Sequence, residues 1–277
     1  MYNPFLTLSE FNTHAHLTDK LSSGIVCTDT GMILFHADGP VFSEKLLDIL
    51  SVSLSNPVFI GSISEQNWVA YGVDANAPLP AGYRLVPLRS LFEEVSEDIL
   101  SIAGRAVQLI RFITTTRYCG KCGAENELKS DELAKVCPSC GLLTFPRLSP
   151  AIIVRITDGA RILLARSPQF PEGMYSVVAG FVEPGESLEI AVHREVFEEV
   201  GVHITDLKYF GSQPWPFPDS LMIGFVARYL SGDVRADGVE IADARWFEND
   251  ALPELPGKIS ISRALIDDFL GNFKTDI

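Results

Sequence analysis

Four cysteines constrain this chain more than any other feature. Cys119, Cys122, Cys137 and Cys140 stand as C-x2-C-x14-C-x2-C, set in Cys-Gly-Lys-Cys-Gly and Cys-Pro-Ser-Cys-Gly. Each pair lies in a turn that can present two thiolates, and the glycine after each second cysteine lets the backbone fold tightly under a metal. Four thiolates at ~2.3 Å complete a tetrahedral Zn2+ shell with no open position, so the expected ion is structural, one per chain. Residues 118–146 are therefore expected to form a zinc ribbon. Cys27 lies in a β-like apolar run and is expected to be a small buried hydrophobe. The opening stretch MYNPFLTLSEFNTHAHLTDK has no basic segment ahead of an apolar core, which points to a cytoplasmic chain whose paired cysteines bind metal rather than form disulfides.

A zinc ribbon can also be a nucleic-acid-binding module, and local charge argues against that role here. Between Cys119 and Cys140, Lys121, Lys129 and Lys135 are outnumbered by Glu125, Glu127, Asp131 and Glu132, with no aromatic residue to stack on a base. The whole chain carries a formal charge of −14, so any polyanion must be met locally. No run approaches the length of a membrane span.

The 277 residues give room for about two domains beside the ribbon. No repeat recurs at a period of 20 to 50 residues, which sets aside solenoids and propellers. Residues 1–117 alternate β-like runs (Gly24 to Thr28, Met32 to His36, Pro57 to Ile60, Trp68 to Tyr71) with a helix-like segment from Ser43 to Leu50, as in a small α/β domain. Gly72 to Pro87 holds three prolines and two glycines and predicts a loop; Ser90 to Thr115 predicts a helix broken near Gly104. Residues 147–277 form a third unit. AIIVRIT and RILLARS flank an Asp158-Gly159 hairpin turn, YSVVA, DLKYFGS, LMIGFVARYL and ARWF read as further strands, and Ser187 to Val200 and Ser260 to Leu270 as helices. A mixed sheet packed between helices is expected, and an α/β fold overall.

The stretch from Gly180 to Val202, GFVEPGESLEIAVHREVFEEVGV, carries the chemistry. Ser187 can cap a helix that Gly201 stops. On a wheel of 3.6 residues per turn Glu195, Glu198 and Glu199 fall in one arc of about 100°, and Ile190, Val192, Val196, Phe197 and Val200 occupy another face. Like charges three and four residues apart repel, and a hard divalent cation such as Mg2+ or Mn2+ would offset that repulsion. An acidic helix face can also be simply solvated. The order of residues is more specific: Gly180, five residues, Glu186, seven residues, then Arg194-Glu195-Val196-Phe197-Glu198-Glu199-Val200-Gly201-Val202. It resembles the Nudix box, G-x5-E-x7-R-E-U-x-E-E-x-G-U with U apolar, at every defined position.

The resemblance implies the Nudix α/β/α sandwich and hydrolysis of a nucleoside diphosphate linked to another moiety. It implies Glu195 and Glu199 as metal ligands, Glu198 as ligand or base, Arg194 orienting the carboxylates, and Glu186 supporting the loop and metal site. A backbone carbonyl before the box glycine, here Ala179, and a downstream glutamate, here Glu240, complete the implied set.

Ser212-Gln213-Pro214-Trp215-Pro216-Phe217-Pro218-Asp219-Ser220 follows ten residues after the box. In an extended chain Trp215 and Phe217 point one way and the prolines the other, making a stiff aromatic surface on which a base could stack. The same stretch also fits a rigid loop whose aromatics are core. The array, with the four-cysteine ribbon upstream, is similar to the NADH pyrophosphatase subgroup of Nudix hydrolases. That resemblance implies substrate contacts at Gln213 to Ser220 and, by position, at Phe145, Glu132, Ser262 and Arg89. It implies cleavage of NAD(H) to a nicotinamide mononucleotide and AMP, a homodimer, and in some relatives removal of NAD caps from RNA 5′ ends. A broader dinucleotide or ADP-ribose pyrophosphatase is the alternative enzyme. A regulator built on a decayed Nudix domain is disfavoured by the intact carboxylates.

Overall fold

The computed structural model describes residues 22–271 apart from 44–53, 56, 64–65 and 93. The chain divides into two compact units, one holding the described residues up to Leu148 together with Trp215–Asp219, the other holding 149–214 and 220–271.

In the first unit, β1 (Ser22–Cys27), β2 (Met32–Phe35), β3 (Val41–Ser43), β4 (Val58–Ile63), β5 (Gln66–Gly72) and β6 (Arg84–Pro87) form a sheet of order β4-β5-β1-β2-β6, with β3 also paired to β1. β1 and β5 run parallel and the other pairs antiparallel. Consecutive Ile25, Val26 and Cys27 are fully buried, as in a strand covered on both faces. Cys27 is thus the small buried hydrophobe expected, and burial pushes its thiol far up. The expected helix of Ser43 to Leu50 lies outside the described residues beyond Ser43, which ends β3.

Two expectations for this unit need correction. β6 occupies the end of the stretch predicted to be loop. The segment predicted as a helix from Ser90 is a 3-10 turn, Leu88–Leu91, followed by α1 (Glu97–Thr115). Ser96 sets the start of α1 by accepting a hydrogen bond from Ile99 N, with Glu97 and Asp98 favourably placed in the first turn. Gly104 does not break α1; a Cβ there would lie 2.8 Å from Pro216 Cγ, so the glycine serves a close approach rather than a turn.

The ribbon is a three-stranded antiparallel sheet of β7 (Glu127–Leu128), β8 (Lys135–Val136) and β9 (Leu143–Thr144). Buried Lys135 donates from Nζ to Ile113 O at 2.7 Å, meeting a carbonyl that the end of α1 leaves unpaired.

In the second unit, β10 (Ser149–Asp158), β11 (Arg161–Arg166), β12 (Val178–Phe181), β13 (His203–Trp215), β14 (Ser220–Ser231) and β15 (Asp243–Glu248) form a sheet of order β13-β14-β10-β11-β15, with β12 on β10. Helices α2 (Leu188–Val200) and α3 (Ile261–Gly271) cover it. The period-2 pattern of β10 sends Ile152, Val154 and Ile156 into a core with Val192, Val196 and Val200 of α2, and Ile153 into a separate core with Ile261, Leu265 and Phe269 of α3. That alternation makes the helix-sheet-helix sandwich expected. β12 begins at Val178, three residues later than the YSVVA run suggested.

Strand for strand the two sheets share one connectivity, with β4, β5, β1, β2, β6 and β3 matching β13, β14, β10, β11, β15 and β12. The repeat is one whole unit long, which a search at 20 to 50 residues does not reach.

Candidate functional site

α2 is capped as its sequence dictates. Ser187 Oγ accepts from Ile190 N, and Gly201 ends the helix at φ 75°, a conformation that favours glycine. The face assignment of the wheel fails, however. Ile190 and Phe197 are exposed, Phe197 stacking on His203 at 5.0 Å, whereas Glu195 and Glu199 are buried beside Val192 and Val196. Apolar patterning misassigns this face because two of its members are carboxylates.

Buried Glu195 and Glu199 line a cavity of about 570 Å³ with Ala179, Gly180, Arg194, Glu198, Ser220 and Glu240. Strand register assembles its wall, Ala151 pairing with Phe181 on one side and Met222 on the other, and Ser149 with Ser220. Gly180 is required here, since a Cβ would overlap the Glu195 carboxylate.

Arg194 ties the site together. Its Nε and Nη2 donate to the two Glu186 oxygens at 2.6 and 2.8 Å, and Nη2 also donates to Phe181 O at 2.9 Å. Nη1 lies 2.9 Å from Glu195 Oε1 and 3.0 Å from Glu198 Oε2. The guanidinium and the Glu183 N–H hold the Glu186 carboxyl down at about 2. Burial, then the neighbouring Glu195 and Glu240, pushes Glu199 up to about 8, and burial raises Glu195 despite Arg194. Glu199 Oε2 is buried without a hydrogen-bond partner among the described residues. Repelling buried carboxylates, one with an orphaned oxygen, form a donor set that fits a hard divalent cation.

Sequence reasoning missed Asp237, Glu183, Met222 and Phe181 in this lining. Asp237 accepts from the backbone of Val239, Glu240 and Ile241 at 2.8 to 3.2 Å, building the turn that carries Glu240. The Asp237-Gly238 dipeptide was the available signal. Exposed Phe181 sits on the cavity wall without a patterning cue.

The Gln213–Ser220 segment is not extended throughout. β13 ends at Trp215, and residues 216–219 turn, with Phe217 N donating to Trp215 O and a cis Phe217-Pro218 bond. The turn still brings the aromatic rings together: Trp215 and Phe217 lie edge-on at 5.0 Å, and Phe92 lies 6.0 and 5.6 Å from them. Arg89 lies 4.4 Å above the Phe217 ring. Pro216 rests against Gly104 of α1. These contacts fall inside the first unit, with Trp215 to Asp219. Gln213 belongs to the second unit and commits its amide there, Nε2 donating to Ile259 O at 2.8 Å and Oε1 accepting from Ile261 N at 2.7 Å. Pro214 is exposed.

The residues expected by position differ in their surroundings. Ser262 is buried and shares a hydrogen bond of 2.6 Å with Ser176. Glu132 accepts from Lys129 at 2.5 Å, and Phe145 is exposed beyond β9.

The four cysteine sulfurs lie within 4.8 Å of one another, Cys119 to Cys140 at 3.6 Å and Cys122 to Cys137 at 3.4 Å. A tetrahedron of ~2.3 Å Zn–S bonds has edges of about 3.8 Å, whereas a disulfide needs ~2.05 Å. Backbone N–H groups of Lys121 and Cys122 draw the Cys119 thiol down, while burial and the neighbouring sulfurs push Cys140 up, as four thiols crowded into one site compete for charge. The set fits zinc.

Family models match consecutive stretches of the chain: an NADH pyrophosphatase-like rudimentary NUDIX domain over 27–111, the NADH pyrophosphatase zinc ribbon domain over 114–145, and the NUDIX domain over 146–269. The first of these agrees with the strand connectivity shared by the two sheets. Among curated relatives, the NAD-capped RNA hydrolase NudC of Chromobacterium violaceum is 46% identical over 87% of this chain and 89% of its own. Its counterpart from Stutzerimonas stutzeri is 43% identical over 84% of each chain, and that from Deinococcus radiodurans 42% over 78% of each. The chain therefore belongs to the NADH pyrophosphatase subgroup of the Nudix hydrolases, zinc-ribbon enzymes in which a second, rudimentary Nudix unit precedes the box-bearing one.

Proposed function

We propose that this hydrolase cleaves the diphosphate of NAD(H) to a nicotinamide mononucleotide and AMP, and removes NAD caps from RNA 5′ ends. The observation that carries it is the buried Glu195 and Glu199 pair facing a cavity of about 570 Å³. Water adds to one phosphorus, the P–O bond of the bridge breaks, and two monophosphates result. Glu195, Glu199, Glu198, Glu240 and the Ala179 carbonyl would hold Mg2+ or Mn2+, which when bound neutralises phosphate charge and lowers the pKa of water. Arg194, anchored on Glu186, keeps the Glu195 and Glu198 carboxylates oriented for that task. Exposed Glu198, one oxygen paired with Arg194, is ligand or base: in the second role it would take the proton from water.

Trp215 and Phe217, with Arg89, offer a wall for a flat base, and Ser220 borders the cavity itself. Gln213, Pro214, Pro216, Pro218 and Asp219 complete the proposed substrate-contact segment, Gln213 with its amide committed to Ile259 and Ile261. Phe145, Glu132 and Ser262 are further proposed contacts, Phe145 lacking the hydroxyl that a tyrosine would add. The working form we propose is a cytoplasmic homodimer built of residues 1–117, 118–146 and 147–277; no helix among the described residues is long and apolar enough to cross a membrane.

A product assay over NADH, NAD+, ADP-ribose, diadenosine polyphosphate and NAD-capped RNA tests the reading. AMP and the reduced mononucleotide should appear from NADH, and the capped RNA should lose its nicotinamide mononucleotide. Cleavage of ADP-ribose alone would reject it.

A further inference from the structure

Residues 232–242 join β14 to β15, and Glu240, the proposed carboxylate ligand that α2 does not carry, stands on a bend in that loop. Glu195, Glu198 and Glu199 keep their spacing because a helix fixes it. Glu240 has no helix or strand around it. Its neighbour Val239 is 78% exposed, and the chain returns to the core only at Ile241, among Val196 and Val200. Packing therefore holds one side of Glu240 alone. Ordering a loose backbone costs about 1–2 kcal/mol per residue, and that cost falls on cation binding unless the loop is fixed beforehand.

Asp237 fixes it, with its main chain on one side and its side chain on the other. Its N–H donates to Glu199 O at 3.2 Å, and Arg235 N donates to Val200 O at 3.0 Å. Both carbonyls belong to the last turn of α2, where helix geometry leaves them without an intrahelical partner. The loop is thus docked on the helix at Glu199, whose side chain enters the cavity. Asp237 Oδ1 accepts from the N–H groups of Val239, Glu240 and Ile241 at 3.1, 3.2 and 2.8 Å, and Oδ2 from Glu240 N at 3.2 Å. Gly238, at φ 77°, allows the turn between them. One residue thereby links the main chain of Glu199 to that of Glu240. Its carboxylate borders the cavity yet is committed to the loop, unlike that of Glu199, whose Oε2 is buried without a partner among the described residues.

We infer that Asp237 is a positioning residue: it fixes Glu240 against Glu199 before a divalent cation arrives and is not itself a ligand of that cation. The cation rests on the proposed function.

Titration of the full-length, zinc-loaded protein with Mn2+, followed by the electron paramagnetic resonance of the free ion, tests the assignment. Asp237→Ala should weaken Mn2+ binding at least ~10-fold, the loss expected when a group that orients a ligand is removed. Asp237→Asn, whose Oδ1 can still accept from the loop, should keep most of the affinity. Glu240→Gln should weaken Mn2+ as well, and adding Asp237→Ala to it should cost no more, because a residue that acts through Glu240 then has nothing left to position. Asp237→Ala should keep the wild-type zinc content and circular dichroism; losing them would overturn the assignment in favour of a purely structural role. Equal Mn2+ binding by wild type and Asp237→Ala, no effect of Glu240→Gln, or no uptake of Mn2+ by wild type would also overturn it. An Asp237→Asn variant as weak as Asp237→Ala, or additive losses in the double variant, would overturn it by making Asp237 a ligand in its own right. A wild type that binds Mn2+ in the expected pattern and leaves NADH intact would instead reject the proposed function alone.

Discussion

Glu199 is buried among other acids, and its charge costs the fold something in the absence of a cation. With its carboxyl raised from 4.5 to about 8, the folded chain binds a proton that the unfolded chain releases between those values. Stability without divalent cation should therefore fall as pH rises through that window, and Glu199→Gln should flatten the slope. Thermal melts of the zinc-loaded, Mg2+-free protein across that range check the sign; a variant with the wild-type slope would show that Glu199 is not the group responsible. The same substitution should lower NADH turnover at least ~10²-fold, about 2.7 kcal/mol of transition-state stabilisation, with the fold intact. Near-normal turnover under saturating Mg2+ or Mn2+ would remove Glu199 from the reaction. Residue identity at this site was legible because the spacing from Gly180 to Val202 is so specific. Asp237 was not, because an acidic turn residue looks the same whether it faces solvent or a cavity.

Elements were legible where local chemistry decides them and illegible where tertiary contact does. Ser187 and Gly201 bound α2 as their cap preferences dictate. Gly104 misled because its lack of a side chain serves Pro216 rather than a helix break. Gly104→Ala thus sets two effects against each other: better helix propensity by about 1 kcal/mol, and an overpacking penalty of about 1–3 kcal/mol against Pro216. Because the 2.8 Å approach is to a rigid ring, destabilisation should win, as a lower midpoint in chemical denaturation. A midpoint at or above wild type would mean that Pro216 yields easily. For the ribbon, whose two-residue strands supply little core, the metal is the main source of stability. Metal analysis should find about one zinc per chain, and Cys137→Ser should lose it together with several degrees of melting temperature. A folded, active, zinc-free preparation would refute the assignment.

For the whole molecule, the zinc ribbon and the box-bearing NUDIX stretch were readable from their motifs, while the duplication of one connectivity was not. Strand order leaves no trace in a sequence when residues 44–57 of the first unit, EKLLDILSVSLSNP, carry nothing like the box. Nor did the sequence reveal that the hairpin tip Trp215–Asp219 clusters with the first unit while β13 and β14 belong to the second. Trp215→Ala should lower kcat/KM for NADH by roughly 10-fold to 150-fold, about 1.4–3 kcal/mol of stacking. Retained ADP-ribose activity would place nicotinamide on the wall and parallel loss adenine; unchanged values for both in a folded variant would make the tip scaffold only. The tip also bears on how this protein can be cut. A gene truncated to begin at Ser149 would still encode every carboxylate of the catalytic cavity, yet Trp215 and Phe217 would be left without Phe92, Arg89 and Gly104 to pack on. Such a fragment would keep the carboxylate cavity and lose the packing of its aromatic tip, so on the proposed role of that tip the stretch from Ser149 onward is not a separable working part.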